Sequence, residues 1–122
     1  MWYDHENIKK DIRFVRLTQI ALSFYDTVEF DDIVKTIVEL SELYYKSFQP
    51  YNDYTRKKVS WALRVLRSQN KAKKIKRGVW QLTRSGLIDL AKYHINVYQI
   101  PEEIISEKLY GVILELLEQE EY

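Results

Sequence analysis

The sequence predicts a mainly α-helical fold with a small β-hairpin, an α+β domain. Three observations lead to this prediction. Apolar residues recur at helical spacing in five segments. A short apolar run, VWQL, directly follows a glycine and is typical of a strand. No glycine occurs before residue 78. With 122 residues and 46% hydrophobic content, the chain is long enough to bury one core and too short for two ordinary domains.

The composition excludes several classes of protein. The chain contains no cysteine, which excludes a disulfide framework and a zinc site with thiolate ligands. The first ten residues, MWYDHENIKK, lack the apolar core of a signal peptide. No apolar run approaches the ~20 residues that are needed to cross a bilayer. We therefore expect a cytoplasmic protein without a membrane partner.

Positive charge is concentrated in one part of the chain. Residues 54–88 include eleven Lys and Arg and no Asp or Glu, although the formal net charge of the whole chain is only +1. All 18 acidic residues therefore lie outside this window. A solvated surface normally mixes both signs of charge, so the uniformly basic window indicates a polyanionic partner.

Two helices and a very short strand are predicted before this window. Helical spacing of apolar residues predicts a first helix over residues 4–24, with Asp4 as its N-cap. Residues 27–30 alternate like a short strand. A second helix then runs to about Tyr45, capped by Asp31 or Asp32.

The third predicted helix, residues 55–68, has one apolar and one polar face. Its apolar face carries Val59, Ala62, Leu63 and Leu66. Its other face carries Lys57, Ser60, Trp61, Arg64 and Ser68, with Arg56 and Arg67 at the edge. One face can therefore pack while the other presents cations and hydroxyls, as a helix that binds in a DNA groove must.

A hairpin and two more helices complete the prediction. Two strands are joined by three residues that end in Gly78, which supplies a positive φ angle. Trp80, Leu82 and Ile75 are expected to close over the core. Thr83 caps a fourth helix over residues 84–94, and a fifth begins at Pro101.

The order of these elements, namely helix, short strand, two helices, hairpin and helix, is that of a winged helix-turn-helix domain. We expect this domain to span residues 1–96, followed by a linker and an extra C-terminal helix in residues 97–122. In such domains the third helix enters the DNA major groove, and the basic hairpin lies against the backbone or the minor groove. The interpretation therefore predicts a nucleoid-associated protein that binds double-stranded DNA.

The candidate DNA contacts come from the third helix and the hairpin. They are Thr55, Arg56, Lys57, Ser60, Arg64, Arg67, Ser68, Lys73, Lys74, Lys76, Arg77 and Arg84. Lys76 and Arg77, at the hairpin tip, are expected to contact phosphates. Lys57 and Arg64 either read base edges or contact phosphates only. Trp61 is expected to be buried and to brace the hairpin, with stacking on a sugar or base as the alternative.

Residues 59–86, VSWALRVLRSQNKAKKIKRGVWQLTRSG, resemble the N-terminal winged-helix domain of Mrr-type restriction proteins. The pattern consists of W-A-L (Trp61 to Leu63), R-G-V-W (Arg77 to Trp80) and L-T-x-x-G (Leu82 to Gly86). The family usually has a glycine after the third helix, where this chain has Asn70, which also adopts left-handed conformations. We expect the nuclease domain that normally follows in that family to be absent, since only about thirty residues remain after the part that resembles it. The resemblance therefore implies DNA binding and does not imply cleavage.

The C-terminal helix has an apolar stripe that a winged-helix core does not need. Its members are Ile105, Leu109, Val112, Ile113 and Leu116. The stripe packs either on its own domain or on a symmetric partner. We expect a homodimer that reads two half-sites about one helical turn apart.

The chain shows no pattern that is typical of an enzyme. It lacks G-x-S-x-G and a phosphate-cradling glycine loop, and His5 and His94 are isolated. No catalytic residue, metal, cofactor or small-molecule ligand is therefore predicted. A transcription regulator is the favoured function. The alternative is a protein-interaction or targeting subunit of a restriction or replication complex.

Overall fold

The computed structural model describes residues 9–119, which form five α-helices and three short strands. The helices are α1 (Phe14–Leu22), α2 (Phe30–Tyr44), α3 (Asp53–Ser68), α4 (Arg84–Asn96) and α5 (Glu107–Gln119). The strands are β1 (Val28–Glu29), β2 (Ala72–Lys76) and β3 (Val79–Leu82). The predicted mainly α-helical fold with a small β-hairpin is confirmed.

The three strands form one antiparallel sheet in the order β1-β3-β2. Val28 lies opposite Trp80, and Ala72 lies opposite Leu82, so β1 adds a third strand to the hairpin of β2 and β3. Trp80 and Leu82 are buried as predicted. Ile75 is 46% exposed, however, and does not close over the core, because the register shifts between Lys74 and Lys76.

The hairpin turn is shorter than predicted. Lys76 pairs with Val79, so only Arg77 and Gly78 connect the strands. Gly78 has a φ of +76°, the left-handed region that glycine adopts at no steric cost. Its carbonyl oxygen accepts a hydrogen bond of 2.9 Å from the Phe30 amide, which ties the turn to the start of α2.

The first helix begins later than predicted. It starts at Phe14, and Asp4 lies outside the described residues. Residues 9–13 are not helical, because the Lys10 backbone pairs with the end of α2 through the Tyr44 carbonyl and the Lys46 amide. The buried apolar residue Ile12 therefore lies in an irregular segment and not in a helix. This segment has apolar spacing, but long-range pairing determines its conformation.

The second helix begins slightly earlier than predicted. It starts at Phe30 and its N-cap is Glu29, so Asp31 and Asp32 lie in the first turn and do not cap the helix. Negative side chains in the first turn are favourable next to the helix dipole.

The last helix packs on its own chain. It begins at Glu107, after a 3-10 turn over Glu102–Ile104, so the predicted start at Pro101 is too early. Leu109, Val112 and Ile113 are buried, and Ile105 and Leu116 pack against the same core. The dimer interface that we predicted from these five residues is therefore wrong, because α4 and the core of the same chain cover them.

One apolar cluster joins all these elements. Leu17, Ile37 and Leu63 are fully buried members of this cluster from the first three helices, and Leu90 adds α4 to it. Among residues 9–119, no helix is long and apolar enough to span a membrane.

Candidate nucleic-acid interface

Helix α3 presents its polar face to solvent, as predicted. The Asn52 side chain accepts a hydrogen bond of 3.0 Å from the Thr55 amide and so caps the helix. Val59, Ala62, Leu63 and Leu66 are buried. The side chains that point outward are those of Lys57, Ser60, Arg64, Arg67 and Ser68. Ser68 donates its hydroxyl to the Val65 carbonyl at 2.7 Å.

Thr55 does not belong to this exposed face. Its side chain is fully buried, and its hydroxyl has no hydrogen-bond partner among the described residues. Thr55 lies four positions before Val59, and residues four apart share a face of a helix. The prediction that Thr55 contacts DNA is therefore wrong.

Two of the predicted DNA-binding arginines have carboxylate partners. Arg56 forms an ion pair with Asp31 and lies over the Phe30 ring, 5.1 Å from its centroid. The hydrogen bond from Arg56 to Asp31 raises the pKa of the guanidinium above its ordinary value. Arg84 pairs with Glu115 at 2.8 Å. Both pairs are solvent-exposed, and such pairs are weak, so another anion can compete for either arginine.

Seven other cations on α3 and the hairpin are exposed and have no carboxylate within 4.0 Å among residues 9–119. They are Lys57, Arg64, Arg67, Lys73, Lys74, Lys76 and Arg77. The Lys74 ammonium lies 6.0 Å from the centroid of the Trp80 ring. Because α3 and β2 are in contact, these charges create one positive surface, which we call the basic face.

The connection between α3 and β2 fixes the hairpin relative to the helix. Asn70 adopts a left-handed conformation with a φ of 60°, as expected for the residue that replaces a glycine there. Its carbonyl accepts the Thr83 hydroxyl at 2.7 Å. The Lys71 amide donates to the Leu66 carbonyl at 2.8 Å, and the Lys71 carbonyl accepts the Thr83 amide at 3.0 Å. The hairpin therefore has a defined position beside α3.

Below this connection, the Asp89 carboxylate links α4 to α1 and to the segment before β2. Asp89 on α4 accepts hydrogen bonds from Arg16 and Gln19 on α1, and its contact with the Lys71 ammonium measures 3.1 Å. Desolvation raises the pKa of Asp89, but the hydrogen bonds from Gln19, Arg16 and Lys71 outweigh it and hold the pKa below its ordinary value. The Gln19 amide also donates to the Gly86 carbonyl at 2.7 Å.

Asp89→Asn is expected to destabilise the protein at neutral pH and much less in acid. The folded-state pKa is lowered, so the charged carboxylate stabilises the fold above its ordinary pKa of about 4. This stabilisation is lost as the pH falls through the lower folded-state value. Urea unfolding of both proteins across the acid range measures the difference. Asp11→Asn, an exposed site outside any ion pair of residues 9–119, is the control. If the free energies of unfolding of Asp89→Asn and the unmodified protein differed by the same amount at every pH, this account would be contradicted.

Trp61 occupies a different place from the one predicted. It is 50% exposed and faces the start of α1 beside Arg13 and Phe14, so it does not brace the hairpin. Sequence reasoning missed Arg13 and Arg16, which line the same cleft as Trp61 although they are more than forty residues away from it in the sequence. Only the packing of α1 on α3 brings them there.

The tyrosines near the start of α3 have different environments. Tyr45 is buried against Tyr98, with ring centroids 6.5 Å apart, whereas Tyr51 and Tyr54 are exposed. Within residues 9–119, no three His, Asp or Glu side chains are grouped so that they could hold a metal ion.

Comparison of the chain with protein-family models, with curated proteins and with solved structures finds no match.

Proposed function

We propose that this protein binds double-stranded DNA through its basic face. The observation that carries the proposal is the set of seven exposed cations on α3 and the hairpin that no carboxylate of residues 9–119 neutralises. An unneutralised positive surface attracts a polyanion and releases counterions from its phosphates. A protein partner is less suited to it, because the centres of protein interfaces are depleted in lysine.

The proposed fold is a winged helix-turn-helix. In support of it, a short strand lies between α1 and α2 and pairs with the second strand of the hairpin, and the sheet order is β1-β3-β2. The likeness of residues 59–86 to Mrr-type N-terminal domains supports the same proposal. Helix α3 then lies in the major groove, which is about 12 Å wide and admits an α-helix.

Each part of the basic face has a distinct proposed task. Arg64 and Lys57 lie at the centre of the exposed side of α3, where they reach base edges, and Arg contacts guanine with two hydrogen bonds. Lys76 and Arg77 at the hairpin tip hold phosphates, which positions the helix without reading sequence. The protein then acts as a transcription regulator by occupying its site.

We also propose that two copies pair through the outer side of α5. Three exposed apolar side chains, Tyr110, Leu114 and Leu117, lie four and three residues apart and so form one stripe. A stripe of this kind pairs with itself across a two-fold axis, and a two-fold dimer matches an inverted repeat in DNA.

Leu114→Glu is expected to convert the dimer to a monomer, because it places a charge in the centre of the stripe. Sedimentation at micromolar concentration measures the mass of each variant. Leu43→Glu, at another exposed leucine, is the matched control and should leave the dimer intact. A monomeric unmodified protein, or a Leu114→Glu variant that stays dimeric, would show that α5 does not pair.

The test of DNA binding is selection from a pool of random duplexes at physiological salt, followed by sequencing. Enrichment of a common sequence supports a base-reading helix, and an inverted repeat supports the dimer. Arg64→Ala should relax the selected sequence, whereas Lys35→Ala, on the exposed side of α2, should not. Retention of DNA without enrichment of any sequence would show that the protein binds the DNA backbone and does not read bases. No retention at all would refute the proposal.

A further inference from the structure

A cleft of about 550 Å³ lies between α1 and α3, on the edge of α3 next to the basic face. Phe14 and Arg16 line it from α1, with Arg13 just before that helix. Trp61 lines it from α3, Gln69 from just after α3, and Lys71 from the segment before β2. Its volume is within the range of pockets that bind small ligands. The proposed contact of α3 with the major groove does not use this cleft.

The cleft is positively charged. Arg13 is exposed and has no carboxylate partner among residues 9–119. Arg16 and Lys71 share a single carboxylate, that of Asp89. Three cations therefore face one anion, so the cleft favours an anionic ligand.

The cleft also has an aromatic wall. Half of the Trp61 surface is exposed, although tryptophan is usually well buried. The Phe14 ring also lines the cleft, and the Lys58 ammonium lies 4.5 Å from its centroid and 5.7 Å from that of Tyr54. Exposed aromatic rings interleaved with cations are typical of sites where nucleobases stack.

We propose that this cleft binds one unpaired nucleotide, with its base stacked on Trp61 and its phosphate held by Arg13 and Lys71. Trp61 is one helical turn from Lys57 and from Arg64, so a nucleotide in the cleft adjoins the DNA that the basic face holds. The proposal rests on the proposed function, because the nucleotide is taken from a single-stranded or displaced part of the bound DNA. A free nucleotide offers the same chemistry.

The test uses the full-length protein and four probes. They are a short blunt duplex, the same duplex with a single-stranded thymidine overhang, the same overhang with abasic sugars, and thymidine monophosphate. We expect the thymidine overhang to increase affinity roughly tenfold over the blunt duplex, and the abasic overhang to lose most of that gain. Trp61→Ala should abolish the gain and leave the affinity for the blunt duplex unchanged. Phe48→Ala, at an exposed aromatic residue between α2 and α3, is the control.

The four probes and the variants distinguish the possible outcomes. Binding of the blunt duplex tests the proposed function and does not depend on the cleft. A gain from the overhang that Trp61→Ala removes supports a DNA strand as the source. Quenching of tryptophan fluorescence by thymidine monophosphate that Trp61→Phe and Arg13→Ala both remove, without an overhang gain, supports a free nucleotide. The absence of both an overhang gain and fluorescence quenching would overturn the inference. A gain that persists in Trp61→Ala or with abasic sugars would overturn it as well.

Discussion

The variant Lys76→Ala/Arg77→Ala is expected to bind duplex DNA roughly 10- to 100-fold more weakly than the unmodified protein at about 0.1 M salt. Both side chains are exposed at the hairpin tip and have no carboxylate partner among residues 9–119. Each phosphate contact releases close to one counterion. The slope of log affinity against log salt concentration should therefore fall by about 2.

The matched control removes two positive charges elsewhere. Lys35→Ala/Lys92→Ala changes exposed lysines on α2 and α4 and leaves the basic face intact. Its salt slope should stay near that of the unmodified protein. Because phosphate contacts carry no sequence information, the hairpin variant should lose affinity equally for all sequences. An unchanged salt slope in the hairpin variant would show that the hairpin does not contact DNA.

Gly86→Ala is expected to lower the free energy of unfolding by about 3 kcal/mol, which corresponds to a decrease in Tm of roughly 10 °C. A Cβ atom at Gly86 would lie 2.1 Å from the Lys71 carbonyl oxygen and 2.9 Å from Leu82 Cδ1. The Lys71 carbonyl has little freedom to move, because it accepts the Thr83 amide at 3.0 Å. Thermal unfolding followed by circular dichroism measures the effect.

Gly111→Ala is the control for this clash. Gly111 lies within α5, and a Cβ atom there would meet no atom within 4 Å. Alanine is preferred to glycine inside a helix, so this variant should be more stable by up to about 1 kcal/mol. If both alanine variants unfolded at the same temperature, the close packing of α4 against the Lys71 carbonyl would be excluded.

The sequence predicted α3 and the hairpin well because local signals define both. Asn52 caps α3, four apolar residues repeat on one face, and Gly78 has the positive φ that the turn requires. The outward direction of Arg64 follows from the same helical periodicity. Most of the candidate interface could therefore be predicted.

The errors have a common physical origin in contacts between distant parts of the chain. Residues 9–13 pair with the end of α2, and this pairing, rather than helical spacing, sets where α1 begins. An apolar stripe on α5 shows which face is buried but does not identify its partner, which is α4. Trp61 was misplaced, and the cleft beside it was missed, because Arg13 and Arg16 reach α3 only through tertiary packing.

The most direct test of the central claim is a map of the DNA contact by amide chemical shifts of the ¹⁵N-labelled protein, recorded with and without a duplex. The account predicts that the largest changes occur in residues 57–68 and 73–78, with little change in α5. Changes concentrated on α5 or on the outer side of α2, with α3 and the hairpin unaffected, would contradict it.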